Sequence, residues 1–172
     1  MGNFELTPEY IQSIKMRPAC DNVLCNTFGI EKSNIERFDK NTELNILDRE
    51  FHIDMRIKLN NGSQLTGQEK ALSNEFYKYK TFTMEFYQNR YTKERGEFFK
   101  IASQFYLHGY SDKSGIAFAE WKVIDILLLI NWLKTAGLNR LEKNTRPSGG
   151  SKANFLFIPY DKIPNIFYIS KG

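Results

Sequence analysis

The sequence predicts an α/β or α+β fold in which helices flank a mixed central β-sheet, and three observations predict it. Helical signals open the chain, a period-two hairpin pattern follows over residues 51–71, and helix and strand patterns return after it. The 172 residues suffice for one ordinary domain, and we find no repeat or linker that divides them. We therefore expect a single domain over 1–172, with N-terminal helices in 1–30, a core containing the hairpin in 48–125, and a C-terminal helix, basic loop and strand in 126–172.

The composition is typical of a folded, reduced, cytoplasmic protein. Hydrophobic residues make up 41% and charged residues 26% of the chain, which argues against disorder. The apolar run 126–130 is far shorter than the roughly 20 residues that span a bilayer, and no signal peptide opens the chain, so no membrane partner is expected. Cys20 and Cys25 are too few for a disulfide framework or a zinc site. The net charge of +4 permits nucleic-acid binding without requiring it.

Two helices are expected at the N-terminus. Thr7 is a favourable N-cap and Pro8 a favourable first helical residue, so a helix is predicted from there to Arg17. Pro18 interrupts this helix, and a second one is predicted over 19–28. The polar stretch that follows, up to residue 47, predicts no defined element.

The clearest element is a β-hairpin. Apolar and polar residues alternate over 51–59, which predicts a half-buried strand. The Asn-Asn-Gly sequence at 60–62 predicts a turn, and 64–71 returns as the partner strand. A three-residue loop would put Gly62 in the left-handed conformation, which glycine adopts at little cost.

The register of this hairpin decides which polar residues share a face. The three-residue loop pairs Ile57 with Leu65 and Asp54 with Gln68, whereas a two-residue loop would pair Asp54 with Glu69. A slip of one residue inverts every side chain, and the apolar pattern favours the first register. A bulge in the second strand would alter it.

The remaining elements follow in chain order. They are a strand over 81–87, an amphipathic helix over 96–109, a strand over 116–125, a buried helix over 126–136, a polar loop over 140–152 and a last strand over 155–158. The predicted helix at 96–109 has Phe98 and Phe105 on its apolar stripe, and its polar stripe carries Lys100, Gln104 and His108.

The polar face of the hairpin carries residues suited to phosphodiester hydrolysis. Asp54 can hold a hard divalent cation, and the amide oxygen of Gln68 is a neutral ligand suited to Mg²⁺ or Mn²⁺. Lys70 lies two residues further on the same face, where it can position a water molecule or stabilise charge on a phosphate. We predict that these three residues are catalytic and that Asp54 and Gln68 bind the metal.

The order of Asp54, a hairpin turn and Gln68-Glu69-Lys70 resembles the PD-(D/E)XK nuclease superfamily, and a small phage-type or mobile-element branch in particular. The hallmark of that family is an acid on one strand and acid-any-Lys on the next, and the resemblance covers roughly residues 18–125. It implies a restriction-endonuclease-like core, Mg²⁺ or Mn²⁺ as cofactor and DNA as substrate. The chain departs from the family at Gln68, where the usual residue is an acid.

Further acids are candidates for the metal site. Glu69 would replace Gln68 if a bulge at Gly67 turned it round. Asp48 lies just before the predicted strand. The family often uses an acid from its first helix, and Asp21 lies at the corresponding place, although the sequence does not distinguish it from Glu36.

Six basic or polar residues are predicted to contact nucleic acid: Lys100, Gln104, Arg140, Lys143, Arg146 and Lys152. We expect a metal-dependent DNA endonuclease that binds DNA as its main partner. The alternative is a nuclease-like DNA-binding or interaction protein whose site is weak or inactive because Gln68 lacks a charge. A third interpretation is a phage-encoded protein that blocks a host factor. The choice between DNA and RNA and the formation of a homodimer stay open.

Overall fold

The computed structural model describes residues 8–38, 44–147 and 151–172. Within those residues the chain forms ten strands: β1 (Ile35–Arg37), β2 (Met55–Lys58), β3 (Gln64–Leu72), β4 (Thr81–Asn89), β5 (Glu94–Arg95), β6 (Phe105–Ser111), β7 (Phe118–Asp125), β8 (Thr145–Pro147), β9 (Asn154–Pro159) and β10 (Tyr168–Lys171). The same residues form five α-helices: α1 (Pro8–Phe28), α2 (Asn45–Phe51), α3 (Glu97–Lys100), α4 (Ile126–Thr135) and α5 (Leu138–Lys143).

The strands belong to two sheets, so the protein is a mixed α+β structure. The larger sheet has the order β1-β2-β3-β6-β7-β10 and is mixed, because β3 and β6 are parallel while its other neighbours are antiparallel. The smaller sheet has the order β5-β4-β9-β8 and is antiparallel throughout. The chain leaves the larger sheet after β3, builds β4 and β5 of the smaller sheet, and returns as β6. None of the helices in the described ranges is long and apolar enough to cross a membrane.

The larger sheet has a hydrophobic cluster on each face. On one face, Met16 and Leu24 of α1 pack against Met55 and Ile57 of β2 and Leu107 of β6. The other face packs against the smaller sheet and α4, through the cluster Phe82, Met84, Phe86, Tyr106, Tyr110, Ile124, Leu129 and Leu156. Removal of this apolar surface from water is the main stabilising contribution to the fold.

The N-terminal segment is one continuous helix, not two. Pro18 lies inside α1, and the helix runs through it to Phe28. A proline removes one main-chain hydrogen bond from a helix, but Met16 and Cys20 on either side of Pro18 are both buried against the sheet and hold the two halves in place. The predicted N-cap, Thr7, lies outside the described residues.

The predicted hairpin register is confirmed. Ile57 pairs with Leu65, and Gly62 has a φ of +83°, as the three-residue loop requires. The pairing of β3 with β2 ends at Gly67 and its pairing with β6 begins there, and neither ladder shows a register shift, so β3 carries no bulge at Gly67. The first strand is shorter than predicted, because residues 45–51 form α2 and the chain then turns at His52, which has a φ of +50°.

The helix predicted over 96–109 is wrong. Only the short α3 forms there, and the chain continues as β6, every residue of which is buried. A strand buried on both faces lacks the alternation of polar and apolar residues that predicts a half-buried strand. The aromatic residues of β6 are instead spaced as on one face of a helix, which is why a helix was predicted. The loop predicted over 140–152 is likewise wrong in part, because it contains the end of α5 and the strand β8.

The other predicted elements correspond closely to observed ones, whereas none of the four edge strands was predicted. Residues 64–71, 81–87, 116–125, 126–136 and 155–158 correspond to β3, β4, β7, α4 and β9. The unpredicted strands are β1 and β10 at the edges of the larger sheet and β5 and β8 at the edges of the smaller one, and each is two to four residues long. Strands this short leave little periodicity in a sequence.

Replacing Gly67 with alanine should destabilise the protein strongly. A Cβ atom at residue 67 would lie 2.1 Å from Cζ of Phe105, whose buried ring has little freedom to move. We expect Gly67→Ala to lower the free energy of unfolding by about 2–3 kcal/mol. As a comparison, Gly62→Ala adds a Cβ in open space and disturbs only the left-handed backbone, so it should cost about 1 kcal/mol. Urea unfolding of both variants measures the difference, and equal losses would contradict the packing argument.

Candidate functional site

Asp54 and Gln68 meet where β2 begins. The amide nitrogen of Asp54 donates to the carbonyl of Gly67 at 2.9 Å, which holds residue 54 at the edge of the hairpin. Its Oδ2 accepts a hydrogen bond from the main-chain N–H of Glu69 at 2.8 Å. With the Gln68 amide oriented to satisfy its neighbours, the Gln68 nitrogen donates to Oδ1 of Asp54 at 3.1 Å and to the carbonyl of His52 at 2.8 Å. The sequence-predicted pair is therefore in direct contact.

Asp48 joins this pair from α2. Burial raises the pKa of Asp54 well above its usual value, the negative charges of Asp48 and Glu69 raise it further, and a side-chain hydrogen bond with Asp48 acts in the same direction. The N–H of Glu69 opposes these effects. α2 positions Asp48, and the N–H of His52 closes that helix on the Asp48 carbonyl at 3.0 Å. Two carboxyl groups in contact need either a shared proton or a cation between them.

Lys70 lies on the same strand face as Gln68. Its Nζ is 5.2 Å from the centroid of the Phe155 ring. Its positive charge also opposes the rise in the pKa of Glu85, which burial causes and the charge of Glu97 increases. The ammonium group therefore points toward the smaller sheet and not directly at Asp54.

Glu69 and Asp21 lie on the other face of the sheet, where Arg37 binds both. The Arg37 guanidinium donates to the two oxygens of Glu69 at 3.0 and 2.9 Å and to Oδ1 of Asp21 at 2.7 Å. Lys32 forms a further ion pair with Asp21 at 2.9 Å. Although burial works against it, hydrogen bonds from Lys32 and Arg37 hold the pKa of Asp21 below its usual value. These two acids are already neutralised within the fold.

Sequence reasoning missed two further acids beside the site, Glu85 and Glu97. Glu97 is only 6% exposed, and its Oε2 accepts from the N–H of Glu85 at 3.3 Å. Its Oε1 is buried and has no hydrogen-bond partner among the described residues. Burial raises the pKa of Tyr106, and the charge and hydrogen bond of Glu97 raise it further. Nothing in the sequence distinguishes Glu97 from a solvated acid, because its burial depends on how α3 packs against β4.

The six residues predicted to contact nucleic acid do not form the expected helical stripe. Lys100 ends α3, and Gln104 lies in the connection to β6, where its Oε1 accepts from the N–H of Thr66 at 3.0 Å. The other four residues are exposed on α5, on β8 and just before β9: Arg140, Lys143, Arg146 and Lys152. The predicted loop residues 148–150 lie outside the described residues.

His108 is not a surface residue, as its place on a polar stripe had suggested. It is fully buried in β6, and its Nδ1 lies 2.6 Å from the hydroxyl of Tyr160. Its Nε2 is 3.2 Å from Oγ1 of Thr83. Burial, followed by the charge of Lys70, holds the pKa of His108 well below its usual value, so the ring is neutral at pH 7.

The donor set around Asp54 is suited to a hard cation, although it is small. Across the described ranges, no three His, Cys, Asp or Glu side chains form a group that could hold a metal ion. The set here consists of the carboxylates of Asp48 and Asp54 and the amide of Gln68, and oxygen donors of these types are those that Mg²⁺ and Mn²⁺ prefer. No protein-family model matches this chain, and neither a curated protein nor a solved structure matches it.

Proposed function

We propose that this protein is a metal-dependent DNA nuclease with a site of the PD-(D/E)XK type. The observation that carries the proposal is the direct contact of Asp54 with Gln68 on the polar face of the hairpin, with Asp48 beside them. Lys70 follows on the same strand face. A mixed sheet with α1 packed on one face is compatible with the restriction-endonuclease-like core that the motif implies.

The residues around Asp54 would hold Mg²⁺ or Mn²⁺. Asp48 and Asp54 would supply charged oxygens, and Gln68 would supply its amide oxygen when its nitrogen turns away from Asp54. When bound, the cation lowers the pKa of a coordinated water and stabilises charge on the scissile phosphate. The raised pKa of Asp54 supports this assignment, because crowding and burial of carboxylates are costs that a cation removes.

Lys70 would act on the scissile phosphate or the attacking water. Its ammonium is held by a ring face and by the charge of Glu85, and neither interaction is a hydrogen bond that must be broken. An anionic phosphate close to Gln68 would attract the Lys70 ammonium group, which lies on the same strand face. We therefore assign Lys70 to the stabilisation of charge that develops during cleavage.

The proposal is tested by a cleavage assay on plasmid, single-stranded and branched DNA, with Mg²⁺, Mn²⁺ or EDTA. We expect cleavage only with a divalent cation and its loss in Lys70→Ala. Lys58→Ala is the matched control, because Lys58 is an exposed lysine at the end of β2, and it should cleave like the wild type. Equal activity of wild type and Lys70→Ala would rule out the assigned role.

A nuclease-like DNA-binding protein without cleavage is the second candidate, and the orientation of Gln68 favours it. The Gln68 nitrogen, not its oxygen, faces Asp54, and glutamine brings no charge to a metal ion. This candidate predicts salt-sensitive DNA binding that EDTA leaves unchanged, with no product in any of the cleavage reactions.

Changing Gln68 to glutamate should strengthen metal binding. The variant adds a third carboxylate next to Asp48 and Asp54, so we expect a lower melting temperature in EDTA and a larger rise on addition of Mg²⁺ than in the wild type. A gain of about tenfold in Mg²⁺ affinity corresponds to about 1.4 kcal/mol. Thermal unfolding over a Mg²⁺ titration measures both effects. An unchanged Mg²⁺ dependence would exclude Gln68 from the metal ligands, whatever the cleavage rate.

A further inference from the structure

A second region of the molecule has the character of a ligand site. A cleft of about 730 Å³ opens between the turn that precedes β4, the strand β7 and the C-terminal segment. This volume lies within the range of about 300–1,000 Å³ that is usual for small-molecule sites. The cleft shares no residue with the group around Asp54, so an inference about it does not depend on the proposed nuclease activity.

The cleft is rich in positive charge. Four lysines line it, against two acids: Lys78, Lys80, Lys122 and Lys171, against Glu120 and Asp161. Lys122 is only 8% exposed, and its Nζ donates to Oε1 of Glu120 at 2.9 Å. The other three ammonium groups are on exposed side chains at the rim. The lysine surplus favours an anionic ligand.

Aromatic rings accompany these lysines. The ring of Tyr160 forms part of the wall, with Nζ of Lys122 lying 5.1 Å from its centroid. The hydroxyl of Tyr168 donates to the Tyr160 carbonyl at 2.7 Å, which fixes one side of the cleft. Tyr79 is 59% exposed at the opposite rim, with Nζ of Lys78 5.1 Å from its ring centroid. An exposed tyrosine next to ammonium groups is suited to stacking against a base whose phosphate the lysines bind.

A carboxylate oxygen in the wall completes this pattern. Oε2 of Glu120 is buried and accepts no hydrogen bond from the described residues. Nζ of Lys80 lies 3.8 Å away, which is an ion pair and not a hydrogen bond. A buried acceptor without a donor is costly. Because the Glu120 side chain is 19% exposed, a small rotation would bring this oxygen to a sugar hydroxyl or a base amino group of a ligand, which would supply the missing donor.

We propose that this cleft binds a nucleoside phosphate. The rim lysines would neutralise the phosphate, Tyr79 would stack on the base, and Oε2 of Glu120 would accept from a hydroxyl or amino group. Phosphate, ring and donor together describe a nucleotide better than an acidic peptide or a simple anion. The unit comes either as a free nucleotide or as one residue of a single strand, and both present the same chemistry.

The first test compares a nucleotide with its parts. The full chain is titrated calorimetrically with deoxyadenosine 5′-monophosphate, deoxyadenosine and inorganic phosphate. We expect the monophosphate to bind at least about tenfold more tightly than either part. Phosphate that binds as tightly as the monophosphate would overturn base recognition and hence the proposal.

The second test removes the rim charges. Lys78→Gln/Lys171→Gln should weaken monophosphate binding by about tenfold or more, since both ammonium groups are assigned to the phosphate. The control Lys58→Gln/Lys134→Gln removes the same charge from exposed lysines outside the cleft and should bind like the wild type. Equal losses in both double variants would mean a net-charge effect and would overturn the site.

The third test separates the two sources of the nucleotide. A single-stranded thymidine hexanucleotide is titrated with and without competing monophosphate. A strand segment is the occupant if the monophosphate competes with the hexanucleotide, the hexanucleotide binds more tightly than the monophosphate, and Tyr79→Ala weakens hexanucleotide binding. A free nucleotide is the occupant if the monophosphate binds and the hexanucleotide does not. If the monophosphate does not bind and Tyr79→Ala leaves hexanucleotide binding unchanged, the proposal is wrong.

Discussion

The Asp54→Asn variant should lose metal-dependent cleavage and yet unfold at a higher temperature than the wild type. The loss should be at least about 100-fold, because a charged ligand of the proposed cation becomes neutral. The gain in stability follows from the raised pKa of Asp54, since its buried, crowded carboxylate destabilises the native state at neutral pH. An asparagine can still accept from the Glu69 N–H, and it brings no charge into this crowded site. A gain of about 1 kcal/mol would raise the melting temperature by about 2–4 °C.

The pH dependence gives this prediction a second readout. A carboxyl group whose pKa is higher in the folded than in the unfolded state destabilises the fold above its unfolded pKa of about 3.9. The advantage of Asp54→Asn should therefore be largest at neutral pH and disappear as the pH falls toward 4. Thermal unfolding in EDTA from pH 4 to pH 8 measures it. A variant less stable than the wild type at pH 7 would show that Asp54 is a structural residue.

Asp21→Asn is the matched control, because it makes the same chemical change at an aspartate on the opposite face of the sheet, where Arg37 donates a hydrogen bond to the carboxylate. The pKa of Asp21 is lowered, not raised, by its hydrogen bonds to Lys32 and Arg37, although burial opposes this. Its substitution should destabilise the fold and leave cleavage by the folded protein unchanged. The opposite signs of the two stability changes distinguish a carboxylate held for chemistry from one held for the fold.

The hairpin could be predicted from sequence because local rules determine it. Alternation, the Asn-Asn-Gly turn and the left-handed Gly62 act within a few residues of one another, and they led to the observed pairing of Ile57 with Leu65. The same reasoning failed for β6, because its seven buried residues are covered by α1 on one face and by the smaller sheet on the other, and both come from other parts of the chain. The burial of His108 by Tyr160, 52 residues later, leaves no trace in the local pattern.

In the candidate site, too, contacts set by local rules could be predicted and contacts set by long-range packing could not. The contact of Asp54 with Gln68 followed from register alone, and Glu69 was expected on the opposite face for the same reason. The contribution of Asp48 depends on α2, which begins at Asn45, within the polar stretch for which the sequence predicted no element. Glu97 and Glu85 meet because α3 packs on β4, and the partnership of Arg37 with Asp21 and Glu69 joins three separate elements. Neighbours on the same hairpin were predictable, whereas neighbours brought together by packing were not.

The Arg37→Met variant should be among the most destabilising single changes on the α1 face of the sheet. Arg37 binds Asp21 and both oxygens of Glu69, and all three side chains are largely buried. Removing the guanidinium leaves two buried carboxylates with too little compensating charge, which costs about 3–5 kcal/mol. The melting temperature should fall by roughly 10 °C. Methionine keeps most of the volume, so the loss reports on charge more than on packing.

The triple variant Arg37→Met/Asp21→Asn/Glu69→Gln should recover most of that loss, because neutral amides need no counter-ion at these positions. Urea unfolding of the single and triple variants measures the recovery, and a triple variant no more stable than Arg37→Met would mean that packing, not charge, dominates.

The same triple variant also tests where the metal binds. Both alternative acids are neutral in it, while Asp48, Asp54 and Gln68 are unchanged. If the triple variant folds and retains Mg²⁺-dependent cleavage, Asp21 and Glu69 serve the fold alone. If the triple variant folds and its activity no longer depends on Mg²⁺, Asp21 or Glu69 belongs to the metal site. The assignment of the metal to the Asp54 side of the sheet would then be wrong.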